Sequence, residues 1–121
     1  MAPTLSFALL AAFAGCGPSA TGLSDSASSG DIEEGRTLYE QSCAACHGIG
    51  GVGTSQGPPF LHKVYEPSHH SDGAFQVAVA NGGPEHHWSF GDMPPQPGVT
   101  SEELVKIVAY VRGIQRDVGS R

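Results

Sequence analysis

Cys43-Ala44-Ala45-Cys46-His47 leaves this chain few ways to fold. Two cysteines three positions apart lie on one side of a short helical turn, and the next residue directs an imidazole from the same turn. C-x-x-C-H is the attachment sequence for a c-type haem: both thiols reach the vinyl groups of one porphyrin, and the His meets its iron from below. The competing readings are a redox dithiol and half of a zinc site. A thioredoxin-like dithiol wants a βαβ setting, and no strand-rich apolar run precedes Cys43. Zinc wants two further ligands at suitable spacing, and the third cysteine, Cys16, lies far upstream.

A porphyrin also answers a problem of size. A chain of 121 residues allows one domain with a modest core, and 17 glycines and 9 prolines interrupt its regular elements. A large flat apolar ring gives Phe60, Val64, Phe75, Val79 and Leu104 something to pack against. Without it the chain is expected to be largely unfolded.

The iron has a second face. Beyond Met1 the only methionine is Met93, in Phe90-Gly91-Asp92-Met93-Pro94-Pro95. The prolines hold this loop extended and Gly91 lets it turn, so a thioether can be presented without a regular element. A methionine filling a core gap would not explain the flanking prolines. His47 and Met93 as iron ligands raise the reduction potential and leave no open coordination position, which is the ligation of an electron carrier.

Residues 1 to 24 carry no charged side chain, and Leu5 to Ala14 form an apolar run of ten, the length of a signal-peptide core. No run approaches the ~18 to 20 apolar residues that span a membrane. Phe13-Ala14-Gly15-Cys16 has the form of a lipobox, in which Cys16 becomes a lipidated first residue; Ala12-Phe13-Ala14 is alternatively an A-x-A cleavage site. Export fits the motif, because thioethers to haem form outside the cytoplasm. The expected organisation is therefore a leader over 1–16, a flexible Gly/Ser/Ala-rich linker over 17–30 and a folded domain over 31–121, exported to the periplasm and tied to a membrane only through Cys16.

The formal net charge is -6, from 12 acidic and 6 basic residues. Unclustered lysines and arginines exclude a nucleic-acid binder. The acidity is uneven: residues 25–100 hold nine acids and two bases, whereas 101–121 hold three acids and four bases. An acidic carrier suits redox protein partners with a basic docking patch.

Helical signals frame the motif. Asp31-Ile32-Glu33-Glu34 has the form of a capping box opening a helix through Gly35, Leu38 and Tyr39. Thr100-Ser101-Glu102-Glu103 is a second, opening a helix to about Ile114 with Leu104, Ile107, Val108 and Val111 at helical spacing. A middle helix runs from Ser71 or Asp72 to Ala80, ended by Asn81-Gly82. No strand alternation appears. On these residues the sequence from Asp31 to Gln115 resembles the class I c-type cytochromes. The resemblance implies an all-α fold, three to four short helices wrapped around one covalently bound haem c. It implies that a glycine on the first helix receives an aromatic from the last, as Gly35 and Tyr110. It also implies that the carbonyl of Pro58, in Gly57-Pro58-Pro59-Phe60, accepts the Nδ1 proton of His47.

Five histidines remain: His62, His69, His70, His86 and His87. His86 or His87 could replace Met93 on the iron. The two adjacent pairs could instead form a surface copper or zinc site, although neighbouring residues on a helix point apart, so each pair gives one ligand more readily than two. Contacts to a haem propionate, loop packing or solvent exposure complete the choices, and Trp88 reads as a packing or propionate residue. The resulting function is a one-electron carrier that is not an enzyme. The alternatives are a haem subunit of a larger oxidoreductase complex, or a haem enzyme or ligand sensor with an open distal site.

Overall fold

The structure, a computed structural model, describes residues 27–119. The leader, Cys16 and most of the expected linker lie outside the described residues. Among these there are four α-helices and no strands: α1 (Ser29–Ser42), α2 (Ala44–His47), α3 (Asp72–Asn81) and α4 (Ser101–Gly119). The all-α expectation holds.

The two long helices begin where a side chain accepts from first-turn donors, but not always at the expected residue. The α1 cap is Ser28, not Asp31. Its hydroxyl accepts from the Asp31 N–H, while the Asp31 carboxylate accepts from the Ser28 N–H, so Asp31 closes the box from the third helical position. The helix thus starts inside the segment expected to be linker. On α4 the Thr100 box forms as expected: Thr100 Oγ1 accepts from the Glu103 N–H at 3.2 Å, and Glu103 Oε2 accepts from the Thr100 N–H at 2.8 Å. That helix runs beyond Ile114 to Gly119, since nothing after Ile114 breaks it earlier. α3 ends at Gly82, whose φ of 77° favours glycine.

α1 and α4 cross at Gly35. A Cβ there would lie 2.1 Å from the Lys106 carbonyl oxygen, so only glycine permits this approach. Gly35 thus receives the backbone of α4 at Lys106, and the Tyr110 ring packs on α1 at Tyr39, 5.3 Å between centroids. Lys106 then reaches across to Glu34 at 2.6 Å. The core is the seam between these helices: Tyr39, Leu104, Ile107, Val108, Tyr110 and Val111, closed by Ala44 and Phe60. Half of this apolar set lies on one stripe of α4, where positions 104, 107, 108 and 111 share a face.

Arg112 is buried among this framework, and nothing in the sequence pattern singles it out. Its guanidinium donates to Asp72 Oδ1 at 2.8 Å, to the carbonyls of Tyr65 and His70 at 2.6 Å each, and to Gln115 Oε1 at 2.8 Å. It also lies 5.0 Å from the Phe75 ring centroid. One planar cation joins α4, the start of α3 and the loop between α2 and α3, using the fork geometry that a lysine lacks.

Candidate functional site

The C-x-x-C-H residues follow α1 directly. Cys43 leaves helical geometry at φ -123°, ψ -35°, and α2 resumes at once. The amides of Cys46 and His47 return to the Cys43 carbonyl at 3.2 and 2.9 Å, closing the turn that brings both cysteines and His47 to one place. Gly57 backs this turn, because a Cβ there would lie 2.7 Å from the Cys46 carbonyl oxygen. The same carbonyl accepts from the Thr54 hydroxyl at 2.6 Å.

His47 is buried, and burial pushes its pKa down against a smaller opposing effect of its backbone bond to Pro58. The Pro58 carbonyl oxygen lies 2.9 Å from His47 Nδ1. With the proton held on Nδ1, Nε2 keeps the lone pair a metal ligand needs. Phe60 stacks on the imidazole, 4.1 Å between centroids and 18° between planes, which limits ring rotation. Burial, and then the neighbouring Cys46, push the Cys43 thiol up to about 11, so it is protonated at neutral pH.

These residues face a cavity of ≈ 330 Å³. Phe60, Phe75, Val79 and Leu104 line it as expected, and so does Met93. Val64 does not; Tyr65 lines the cavity in its place, its ring meeting Phe60 edge-on at 5.0 Å. A mainly apolar cavity with two thiols, a neutral imidazole and a thioether on its walls fits a covalently held porphyrin: the carbon groups match the ring and the nitrogen and sulfur donors match iron.

The Met93 loop is held by more than its prolines. Met93 and Gly83 exchange both backbone hydrogen bonds, at 2.8 and 3.0 Å, as an isolated antiparallel bridge. Gly82 lets the two segments approach, since a Cβ there would meet the Met93 carbonyl oxygen at 2.5 Å. Within the loop the Glu85 carboxylate accepts from the Gly91 N–H and the Asp92 carboxylate from the Glu85 N–H. Two reciprocal side-chain bonds thus fix the segment that carries Met93, and no short-range pattern announces them.

The five remaining histidines separate. His70, His86 and His87 line the cavity, whereas His62 and His69 do not. His62 accepts from the Val64 N–H and meets the Trp88 ring edge-on at 5.2 Å. His69 and His70 lie in a turn before α3, not on a helix, so the expectation that adjacent histidines diverge fails there: both turn towards the 86–87 pair. Desolvation, then the surrounding histidines, hold His87 below the ordinary imidazole range.

Helices crossing over a cavity that offers Cys43, Cys46 and His47 define a haem-attachment domain of the c type. The sequence pattern of the cytochrome c family matches residues 32–115, and the chain belongs to that family, as a class I c-type cytochrome. Its members bind haem covalently and transfer electrons through it. The chain is similar to cytochrome c oxidase subunit 2 of Alkalihalophilus pseudofirmus, 26% identical over 88 residues, covering 68% of this chain and 25% of that protein. It is similar to the crystal structure of cytochrome cL from Hyphomicrobium denitrificans, with a TM-score of 0.53 and 27% identity, covering 71% of this chain and 48% of that one. The chain thus spans about a quarter and about half of these two proteins. No helix among the described residues is long and apolar enough to cross a membrane.

Proposed function

We propose that this protein is a one-electron carrier with a single covalent haem c, bound through Cys43 and Cys46 and ligated by His47 and Met93. When bound, the haem supplies an iron that cycles between ferric and ferrous states. The chain's own residues set the terms of that cycle. The Pro58 carbonyl holds the His47 proton on Nδ1 and orients the ring. The apolar cavity excludes water, and a thioether favours the ferrous state, so the potential is raised. The observation that carries this reading is the paired Gly83–Met93 backbone, which ties the Met93 segment beside a cavity also lined by His47. A ligand held this firmly keeps the iron closed to substrate, and the protein is then not an enzyme.

The partners on this reading are redox proteins with a basic patch facing the acidic surface, and no nucleic acid. The location is periplasmic, with a lipid anchor if Cys16 is acylated. A second reading, a haem domain within a larger oxidoreductase complex, draws on the similarity to a quarter of an oxidase subunit; stable co-purification with other subunits would favour it. The deciding experiment is the absorption spectrum of the oxidised holoprotein, searched for the long-wavelength Met–iron charge-transfer band, then repeated reduced under carbon monoxide. A band and no response to carbon monoxide are expected. Met93→Ala should abolish the band, lower the potential and admit carbon monoxide; a spectrum and potential equal to the parent's would overturn Met93 as ligand. A band absent in the parent, with carbon monoxide bound, would favour an enzyme or sensor with His86 or His87 beside an open iron.

A further inference from the structure

Four imidazoles converge at the edge of the cavity, and their hydrogen bonding is incomplete in a specific way. His70 Nδ1 lies 2.6 Å from the Val64 carbonyl oxygen, and His86 Nδ1 lies 2.8 Å from the Pro84 carbonyl oxygen. A carbonyl can only accept, so each ring carries its proton on Nδ1 and keeps a lone pair on Nε2. Those two Nε2 atoms face each other at 3.3 Å. Two lone pairs at that distance repel unless a proton or a cation stands between or beside them. His69 Nε2 and His87 Nε2 lie 3.1 Å apart, as one ring donating to the other places them.

The donor atoms select the occupant, with the rings closing in on a bound ion from their present spacing. His69, His70 and His87 can each offer one nitrogen, all within 4.8 Å of one another. In a tetrahedral site with metal–nitrogen bonds of ~2.0–2.1 Å, neighbouring ligand atoms stand about 3.3 Å apart. The donors are imidazoles throughout, which suit zinc and copper and not magnesium or calcium. Carbonyl oxygens already orient His70 and His86 from behind, the arrangement found behind metal-bound histidines. The turn bearing His70 is itself fixed, since Arg112 donates to the His70 carbonyl at 2.6 Å. Tyr65 packs on the His70 ring at 4.7 Å and stacks in parallel with Trp88 at 5.8 Å. His69 and His87 are exposed, so an ion reaches the cluster directly from solvent.

We propose that His69, His70 and His87, with His86 beside them, form a second metal site for a divalent zinc or copper ion, separate from the haem iron. The ion takes the Nε2 lone pair that the Val64 carbonyl leaves on His70, and the rings of His69 and His87 stand within reach of it. It sits at the cavity edge, because His70 and His87 also line that cavity.

The test uses the holoprotein after treatment with a chelator. Zinc is titrated by calorimetry, and copper(II) is added for electron paramagnetic resonance. One ion per chain and a copper signal split by several nitrogens are expected. His69→Ala/His87→Ala should weaken zinc binding at least about tenfold, as loss of ligands does, while His62→Ala leaves it unchanged. The haem absorption spectrum, equal in all three, certifies that the variants are folded and loaded. No saturable zinc binding in the parent, as when propionates already occupy the imidazoles, would overturn the site. So would equal affinity in the parent and the His69/His87 double variant. A lost haem band in the parent with zinc binding intact would overturn the electron-carrier reading and leave this site standing.

Discussion

Single residues carry more of this structure than their number suggests. Arg112 alone satisfies two loop carbonyls, a carboxylate and an amide oxygen from a buried position. Arg112→Leu removes the donor to the His70 carbonyl and to Asp72, leaves the Tyr65 carbonyl only its Gln115 bond, and should cost about 3 kcal/mol by chemical denaturation of the holoprotein. Arg112→Lys should recover only part of this, because an ammonium cannot reach both carbonyls in one plane. Tyr65 makes a second residue-scale case. Desolvation pushes its phenol up to about 12. In the unfolded chain it ionises near 10, so above that pH the unfolded state releases its proton first and the fold loses stability as pH rises towards 12. Tyr65→Phe should therefore shift the alkaline unfolding midpoint upward, by an effect on the order of 1 kcal/mol; an unmoved or lowered midpoint would disprove the assignment.

At the scale of the element, the helix crossing is the sensitive point. Gly35→Ala would drive a methyl carbon into the Lys106 carbonyl, and α1 must then lift off α4. The expected cost is about 3 kcal/mol, read as a lower denaturation midpoint, whereas alanine at an ordinary exposed helical glycine would stabilise. This scale also separates what the sequence made legible from what it hid. The Thr100 box, the α3 stop at Gly82 and the apolar stripe of α4 depend on neighbours within four positions, and they were readable. The α1 cap lies three residues before the expected one because Ser28-x-x-Asp31 and Asp31-x-x-Glu34 are equally good boxes locally. The partner of Gly35, the exchange of Val64 for Tyr65 in the cavity lining, and the bonds of Arg112 depend on contacts made across the fold, and no local pattern encodes them. In the candidate site, the C-x-x-C-H spacing drew attention to Cys43, Cys46 and His47, and Pro58 entered only through family likeness. The Glu85–Gly91 and Asp92–Glu85 bonds behind Met93 had no signal at all.

For the whole molecule the decisive quantity is apolar surface. The core among the described residues is one seam between two helices, with α3 contributing no fully buried side chain. Such a seam offsets little of the chain entropy lost on folding, and Phe60, Phe75 and Leu104 turn apolar surface to a cavity of ≈ 330 Å³ rather than to one another alone. A Cys43→Ser/Cys46→Ser chain purified without haem should show weak helical circular dichroism and no cooperative thermal transition. A sharp transition near that of the holoprotein would mean that the polypeptide holds itself together.

The ion pair between Lys106 and Glu34 joins positions 72 residues apart, and the Gly35 crossing lies at the same junction. A chain made or threaded from its N-terminus thus presents Cys43 and Cys46 well before the helix that pins α1 exists. Any machinery that joins a porphyrin to Cys43 and Cys46 meets them on an open chain, and α4 acts as the latch.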